Sequence, residues 1–204
     1  AHTAYGTQLL WPLDSPPVMW ATLFIIDPLF TLPMLVAVVI AAARPAKRSS
    51  ASMMRAALLL STLYIGWSWT AQSIVARHTG DALVERGLVG APVFITPTPF
   101  NTLLWRVVVL TEEGYLEGFD SLLVDDGPID FSAYTFDRDS LLEADTVWAV
   151  SRLRWFSSDF VKARVVDGRL LITDLRMGQE PVYVFPHVVA ASGNPHWEAV
   201  PTEL

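Results

Sequence analysis

The stretch Val18–Ala43, VMWATLFIIDPLFTLPMLVAVVIAAA, decides how the rest of the chain is read. It is apolar almost throughout and carries one charge, Asp27. As a single helix it would be about 39 Å long, against a bilayer hydrocarbon core of about 30 Å. No soluble core helix needs so long an apolar run, so the stretch is expected to be a membrane span. A carboxylate inside a span costs roughly 2.5–3.5 kcal/mol and usually faces a polar cavity or partner. Pro28 and Pro33 follow Asp27, and each removes a backbone donor. Asp27 then has two readings. It sits at a helix break that lines a wet site, or it caps or bends the start of a span that begins at Leu29.

On the N-terminal side, residues 1–17 (AHTAYGTQLLWPLDSPP) read as an interfacial segment. Tyr5 and Trp11, with Trp20 beyond them, suit the headgroup region, where amphipathic aromatics collect. His2 is a candidate metal ligand by its chemistry, although a lone terminal histidine is more often simply solvated. Tyr5, Gln8 and Asp14 are candidate neighbours of Asp27.

On the C-terminal side, Arg44, Lys47, Arg48 and Arg55 make residues 44–55 a basic connection. A second apolar segment follows at Met53–Ala76, diluted by Ser61, Thr62, Ser68, Thr70, Gln72 and Ser73. Small residues within it, such as Gly66 and Ala71, allow close helix approach. The expected arrangement is two transmembrane helices over 18–76, forming a hairpin. The excess of positive charge places the 44–55 loop in the cytoplasm and everything after residue 77 on the extracytoplasmic side.

Residues 77–89 read as a connecting helix ending at Gly87, and residues 90–204 as a β-rich soluble domain. Trp105–Thr111 and Tyr115–Val124 are expected to pair as a hairpin. Asp167-Gly168 marks a second hairpin between FVKARVV and RLLITDLRM. Asp139–Phe156 has helical spacing, with Asp139 as its cap. Asp125 and Asp126 form an acidic turn whose spacing does not match a calcium loop. The fold class expected is a membrane α-helical hairpin followed by an α+β, mainly antiparallel β soluble domain.

Composition agrees with a membrane protein. The 204 residues are 52% hydrophobic and 17% charged, with a mean hydropathy of +0.38; average charged usage is about 25%. There is no cysteine, which removes disulfides, thiolate metal sites and thiol nucleophiles. The net charge of −7, concentrated after residue 110, argues against nucleic acid as a partner. The chain opens on Ala1 rather than methionine, so it reads as a piece of a longer protein. No dinucleotide fingerprint, P-loop, nucleophile elbow or paired-histidine zinc motif is present, and His2, His78, His187 and His196 show no ligand spacing.

The motifs TAYGTQLLWPLDS, LFIIDPLFTLP, PTPFNTLLWRVVV, GYLEGFDSLL, RWFSSDF and TDLRMG occur in this order from Thr3 to about Val189. They resemble the bacterial inner-membrane proteins described as membrane-bound metal-dependent hydrolases, the YdjM-like group. The matching positions are Tyr5, Gly6, Thr7, Gln8, Asp27, Pro28, Asn101, Trp105, Arg106, Asp174, Leu175, Arg176 and Gly178. The resemblance implies a multi-span protein with a histidine-rich start that supplies the ligands of a divalent metal ion. Those histidines do not lie in this sequence. It also implies hydrolysis, with a metal-bound water as nucleophile. Asp27, Arg106 and Arg176 are then the candidate catalytic residues, and Asp27 and His2 the candidate metal ligands. Asp27 would bind the metal or orient a ligand to it. Arg106 and Arg176 would hold a phosphate if the β-rich domain folds back over the membrane face. Otherwise they form ordinary surface or cross-strand pairs. A site at that depth suits a membrane lipid or a lipid-linked phosphate. The rival reading is a membrane-anchored, non-catalytic binding or sensing module.

Overall fold

A computed structural model describes residues 1–43, 48–124, 127–193 and 196–200. The apolar stretch does not form one helix. Helix α1 covers only Pro28–Ala43, and residues 18–27 run in irregular backbone with several bends. Asp27 and Pro28 set the boundary. Asp27 Oδ1 accepts hydrogen bonds from the backbone N–H groups of Leu29 (3.0 Å) and Phe30 (3.2 Å), which would otherwise be orphaned at the helix start. Pro28 takes the first helical position, where its missing N–H is not needed.

Helix α2 follows at Arg48–Glu85, so the expected connecting helix is the last part of α2. The two helices are antiparallel: Ser61 donates to the Phe30 carbonyl (3.1 Å), and Ala37 lies beside Met53 across a shared groove. Among the described residues, no helix is long and apolar enough to cross a membrane. This corrects the expectation of two transmembrane helices. The 16 residues of α1 extend only about 24 Å, and the polar residues of α2 dilute it. The hairpin surface is nevertheless apolar: Leu29, Leu32, Leu35, Val36, Leu58, Leu59 and Leu63 are all exposed. An exposed apolar patch of this kind marks a membrane or a partner surface.

The β-rich part holds, among the described residues, ten strands and two further α-helices. Strands β1 (Val93–Pro97), β2 (Leu104–Leu110), β3 (Gly114–Ser121) and β4 (Phe131–Thr135) form an antiparallel sheet in that order. Helices α3 (Arg138–Glu143) and α4 (Trp148–Ser157) follow, separated by a tight turn of 3-10 helix at Ala144–Thr146. The single helix expected over Asp139–Phe156 is therefore broken, because Val147 adopts an extended conformation. Asp137 rather than Asp139 caps α3, through Ser140 N (3.0 Å) and Ser140 Oγ (2.8 Å). Strands β5 (Val161–Val166) and β6 (Arg169–Asp174) make the expected Asp167-Gly168 hairpin. A two-stranded ribbon, β7 (Gly178–Gln179) with β8 (Val182–Tyr183), comes next. Strands β9 (Pro186–Ser192) and β10 (Trp197–Ala199) complete the second sheet in the order β10-β9-β6-β5. The acidic turn at Asp125 and Asp126, and the basic residues Arg44 and Lys47, lie outside the described residues.

Three apolar clusters hold these layers together. Ala71, Val75 and Leu83 of α2 pack on Trp105, Val107 and Val109 of β2. Leu141, Val147 and Val150 cover Val161, Ala163, Leu170 and Ile172 of the second sheet. The third cluster joins Phe94, Val108 and Tyr115 of the first sheet to Phe160, Leu175 and, from the N-terminal segment, Ala21. The N-terminal segment is thus part of the folded body. Ala21, Thr22 and Leu23 are buried, and Gln72 of α2 donates to the carbonyls of Trp20 (2.7 Å) and Ile95 (3.3 Å). Residues 5–8 turn back so that Thr7 pairs with Val18. Gly6 has φ +74°, and a Cβ there would stand 2.8 Å from that of Pro17, so this turn requires glycine.

Candidate functional site

Alternation along β2 turns Trp105, Val107 and Val109 toward α2 and Arg106 to the other face. Thr96 of β1 lies directly opposite Arg106 in register. The Arg106 guanidinium is buried, and each of its three nitrogens donates a hydrogen bond. Nε donates to Glu117 on β3, Nη1 to the Leu175 carbonyl (2.8 Å) and Nη2 to the Tyr183 hydroxyl (2.8 Å). Glu117 in turn accepts from the Glu180 backbone N–H (3.1 Å). The Glu180 carboxylate accepts from Lys162 and from the Tyr115 hydroxyl. Burial pushes the Glu180 carboxyl up, but hydrogen bonds from Lys162 and Tyr115 outweigh it and leave its pKa below the usual range. Burial is also the main cause that pushes Tyr183 up to about 12, against the pull of Arg106. Tyr115 is raised too, by burial first and then by its bond to Glu180. Both phenols therefore stay neutral at physiological pH.

Arg176 is held by a different device. Asp174, two residues earlier, accepts from its Nε (2.9 Å), its Nη2 and its backbone N–H (2.9 Å). Its guanidinium carbon lies 4.8 Å from the centre of the Phe156 ring. Nη1 meets only the Met19 sulfur, at 3.3 Å, and a thioether is a weak acceptor. That nitrogen retains donor capacity.

The two arginines open onto one cavity of about 570 Å³ between the N-terminal segment, the β1 end and the β7–β8 ribbon. Tyr5, Thr96 and Gln179 add polar groups to its wall, and Gly178 belongs to it as well. Leu23, Phe24, Ile25, Val182, Val184 and Phe185 make the remainder apolar. A mostly apolar pocket with a few convergent polar groups is the usual form of a small-ligand site. Of the two readings of the arginines, pairing is present in both. Arg106 makes a cross-strand pair with Glu117 and Arg176 a local one with Asp174, but both pairs are buried rather than on the surface.

Asp27 is elsewhere. It is buried, its Oδ1 caps α1, and its Oδ2 accepts from the Tyr64 hydroxyl (2.9 Å). Tyr64 and the Trp67 indole meet the Thr102 hydroxyl at 3.2 Å and 3.0 Å, tying α1, α2 and the β1–β2 loop together. His2 bonds Thr22 Oγ1 through Nδ1 (2.9 Å) and packs edge-on to Trp20. Burial, then the nearby N-terminal ammonium, holds the His2 pKa below its ordinary value. Gln8 and Asp14 stand exposed; of the three neighbours expected for Asp27, Tyr5 lines the arginine cavity instead.

The implied divalent metal does not fit Asp27 and His2. Both Asp27 oxygens serve the helix cap and Tyr64, and Nδ1 of His2 faces Thr22. Among the described residues no three histidine or acidic side chains are grouped to hold an ion. The cap predicts a graded response. Asp27→Asn keeps an oxygen for the cap and should cost about 1 kcal/mol or less. Asp27→Ala removes the cap and the carboxylate that accepts from the partly buried Tyr64 hydroxyl, for a loss of roughly 2–3 kcal/mol. Thermal unfolding of both variants in detergent separates these outcomes; equal losses would show that the charge itself is required.

Sequence reasoning named Arg106, Arg176 and Tyr5 but missed Thr96, Glu117, Lys162, Glu180 and Tyr183. A charged residue at an inward strand position, such as Glu117 beside Arg106, is the signal that was available.

No curated protein and no solved structure matches the chain. Residues 1–75, which hold the N-terminal segment, α1 and about the first three quarters of α2, match the model of the family described as YdjM inner membrane protein, and in this part the chain is similar to that family.

Proposed function

We propose that this chain is the part of an inner-membrane protein that holds an anionic amphiphile, a lipid or lipid-linked phosphate, in the cavity over Arg106 and Arg176. One observation carries the reading: two arginines far apart in sequence open onto one cavity whose walls are otherwise mostly apolar. The apolar hairpin of α1 and α2 is the surface that enters the bilayer. Metal-dependent hydrolysis requires donors other than Asp27 and His2, and the proposal does not depend on it. Of the two readings left open by the sequence, a membrane-anchored binding module is the one for which a site is at hand.

The test is photocrosslinking in native membranes with a lipid analogue bearing a phosphate head and a diazirine in its chain. Crosslinks are expected at residues 23–25 and 182–185, and their yield should fall about tenfold in Arg176→Gln. Crosslinks confined to α1 and α2, unchanged in that variant, would overturn the reading.

A further inference from the structure

The cavity has a direction. Its polar wall is buried: Thr96, Arg106 and Arg176 are each less than one tenth exposed. Its apolar wall reaches the surface, where Ile25, Val182, Val184 and Phe185 are exposed. From Ile25 the exposed apolar surface continues along the chain through Ile26 and Leu29 into α1. A bound amphiphile therefore lies with its head inside the body and its chain leaving toward the hairpin.

The charges around the head position are balanced. Arg106 is matched by Glu117, Arg176 by Asp174 and Lys162 by Glu180. The desolvation cost of an ion grows with the square of its charge, and buried charges persist only when compensated. With the cations already paired, each negative charge brought in is largely uncompensated, because the Glu117 and Asp174 carboxylates stand directly beside the two arginines that line the cavity. The donors at hand are Nη1 of Arg176, the Tyr5 and Thr96 hydroxyls and the Gln179 amide.

Resting on the binding reading above, we propose that the site selects a single-chain amphiphile whose head is monoanionic with two terminal oxygens, a phosphodiester or a carboxylate, and discriminates against a dianionic phosphomonoester. A diester or carboxylate places one charge and two acceptors against the free edge of Arg176. A monoester places a second charge against the paired carboxylates. The ligand is drawn from the membrane, because the chain must lie along the exposed apolar rim.

Calorimetric titration of the full chain in uncharged maltoside micelles tests this. The probes are dodecyl methyl phosphate, dodecanoate, dodecyl phosphate and, without a chain, dimethyl phosphate. A phosphomonoester loses its second proton near pH 6, so it is dianionic at about pH 8.5 and mostly monoanionic at about pH 5.5. At the higher pH the diester and dodecanoate should bind about tenfold more tightly than the monoester. At the lower pH the diester and monoester should converge to within about threefold. Arg176→Gln should abolish the difference, which separates it from unequal partition into micelles. Equal or tighter binding of the monoester at the higher pH would overturn the selectivity and leave the binding reading standing. Dimethyl phosphate binding as tightly as the long-chain diester would overturn the membrane source. Absence of binding by every probe at both pH values would refute the binding reading itself, and the proposal with it.

Discussion

Arg106→Met should lower the stability of the full chain in detergent by roughly 3–5 kcal/mol, the cost of removing one member of a buried ion pair. Arg106 is 3% and Glu117 5% exposed. Without the guanidinium, Glu117 becomes a buried charge lacking its cation. The Leu175 carbonyl and the Tyr183 hydroxyl also lose the donors that join the first sheet to the β7–β8 ribbon. The double variant Arg106→Met/Glu117→Gln should regain at least half of the loss. The amide that replaces the Glu117 carboxylate is uncharged, and its oxygen can still accept from the Glu180 N–H. Thermal unfolding of the three proteins decides the matter. A single variant as stable as the parent would mean that the guanidinium stands in water rather than between the sheets.

Trp105→Ala should be equally costly, at about 3–5 kcal/mol, for a different reason. The Trp105 side chain is fully buried and lies where Ala71 and Val75 of α2 meet the first sheet. Truncation leaves a cavity at the joint between helix and sheet. Trp105→Phe fills most of that volume and loses chiefly the bond from Nε1 to the Thr102 carbonyl (3.0 Å), about 1 kcal/mol. Chemical denaturation should rank parent, Phe and Ala in that order. A reversed order would place Trp105 outside the core.

The strands were the most legible part of the chain. The β-branched run in Trp105–Thr111 and the Asp167-Gly168 turn point to their hairpins through local chemistry alone, and both hairpins form. Strand β4 was missed. FSAYT at an edge is only partly buried on either face, so it shows no alternation of polarity to read. The greatest error lay in Val18–Asp27. Within it Met19 and Ala21 pack against Phe94, Val108 and Leu175, while Ile25 and Ile26 stay exposed, and apolar composition does not distinguish a packed segment from one in lipid. Asp27-Pro28 did contain the answer, as a cap followed by the residue best suited to the first helical position. In the site, the arginines could be named because their charge stands out within apolar strands. Their common cavity depends on the ribbon at 178–183 and the turn at Tyr5 meeting in space, and no local pattern encodes that meeting.

Helix α2 has a mechanical consequence. It runs 38 residues, about 57 Å, and contains no proline. One half carries the apolar hairpin face, and the other is bolted to the first sheet through Ala71, Val75 and Leu83. About two thirds of the way along, Gln72 donates to the carbonyls of both Trp20 and Ile95, the latter one residue from Thr96 in the cavity wall. Apolar helices adjust to bilayer thickness chiefly by tilting. A tilt of the hairpin half would pass along this stiff rod to Gln72 and, through Ile95, to the strand that carries Thr96 of the cavity wall.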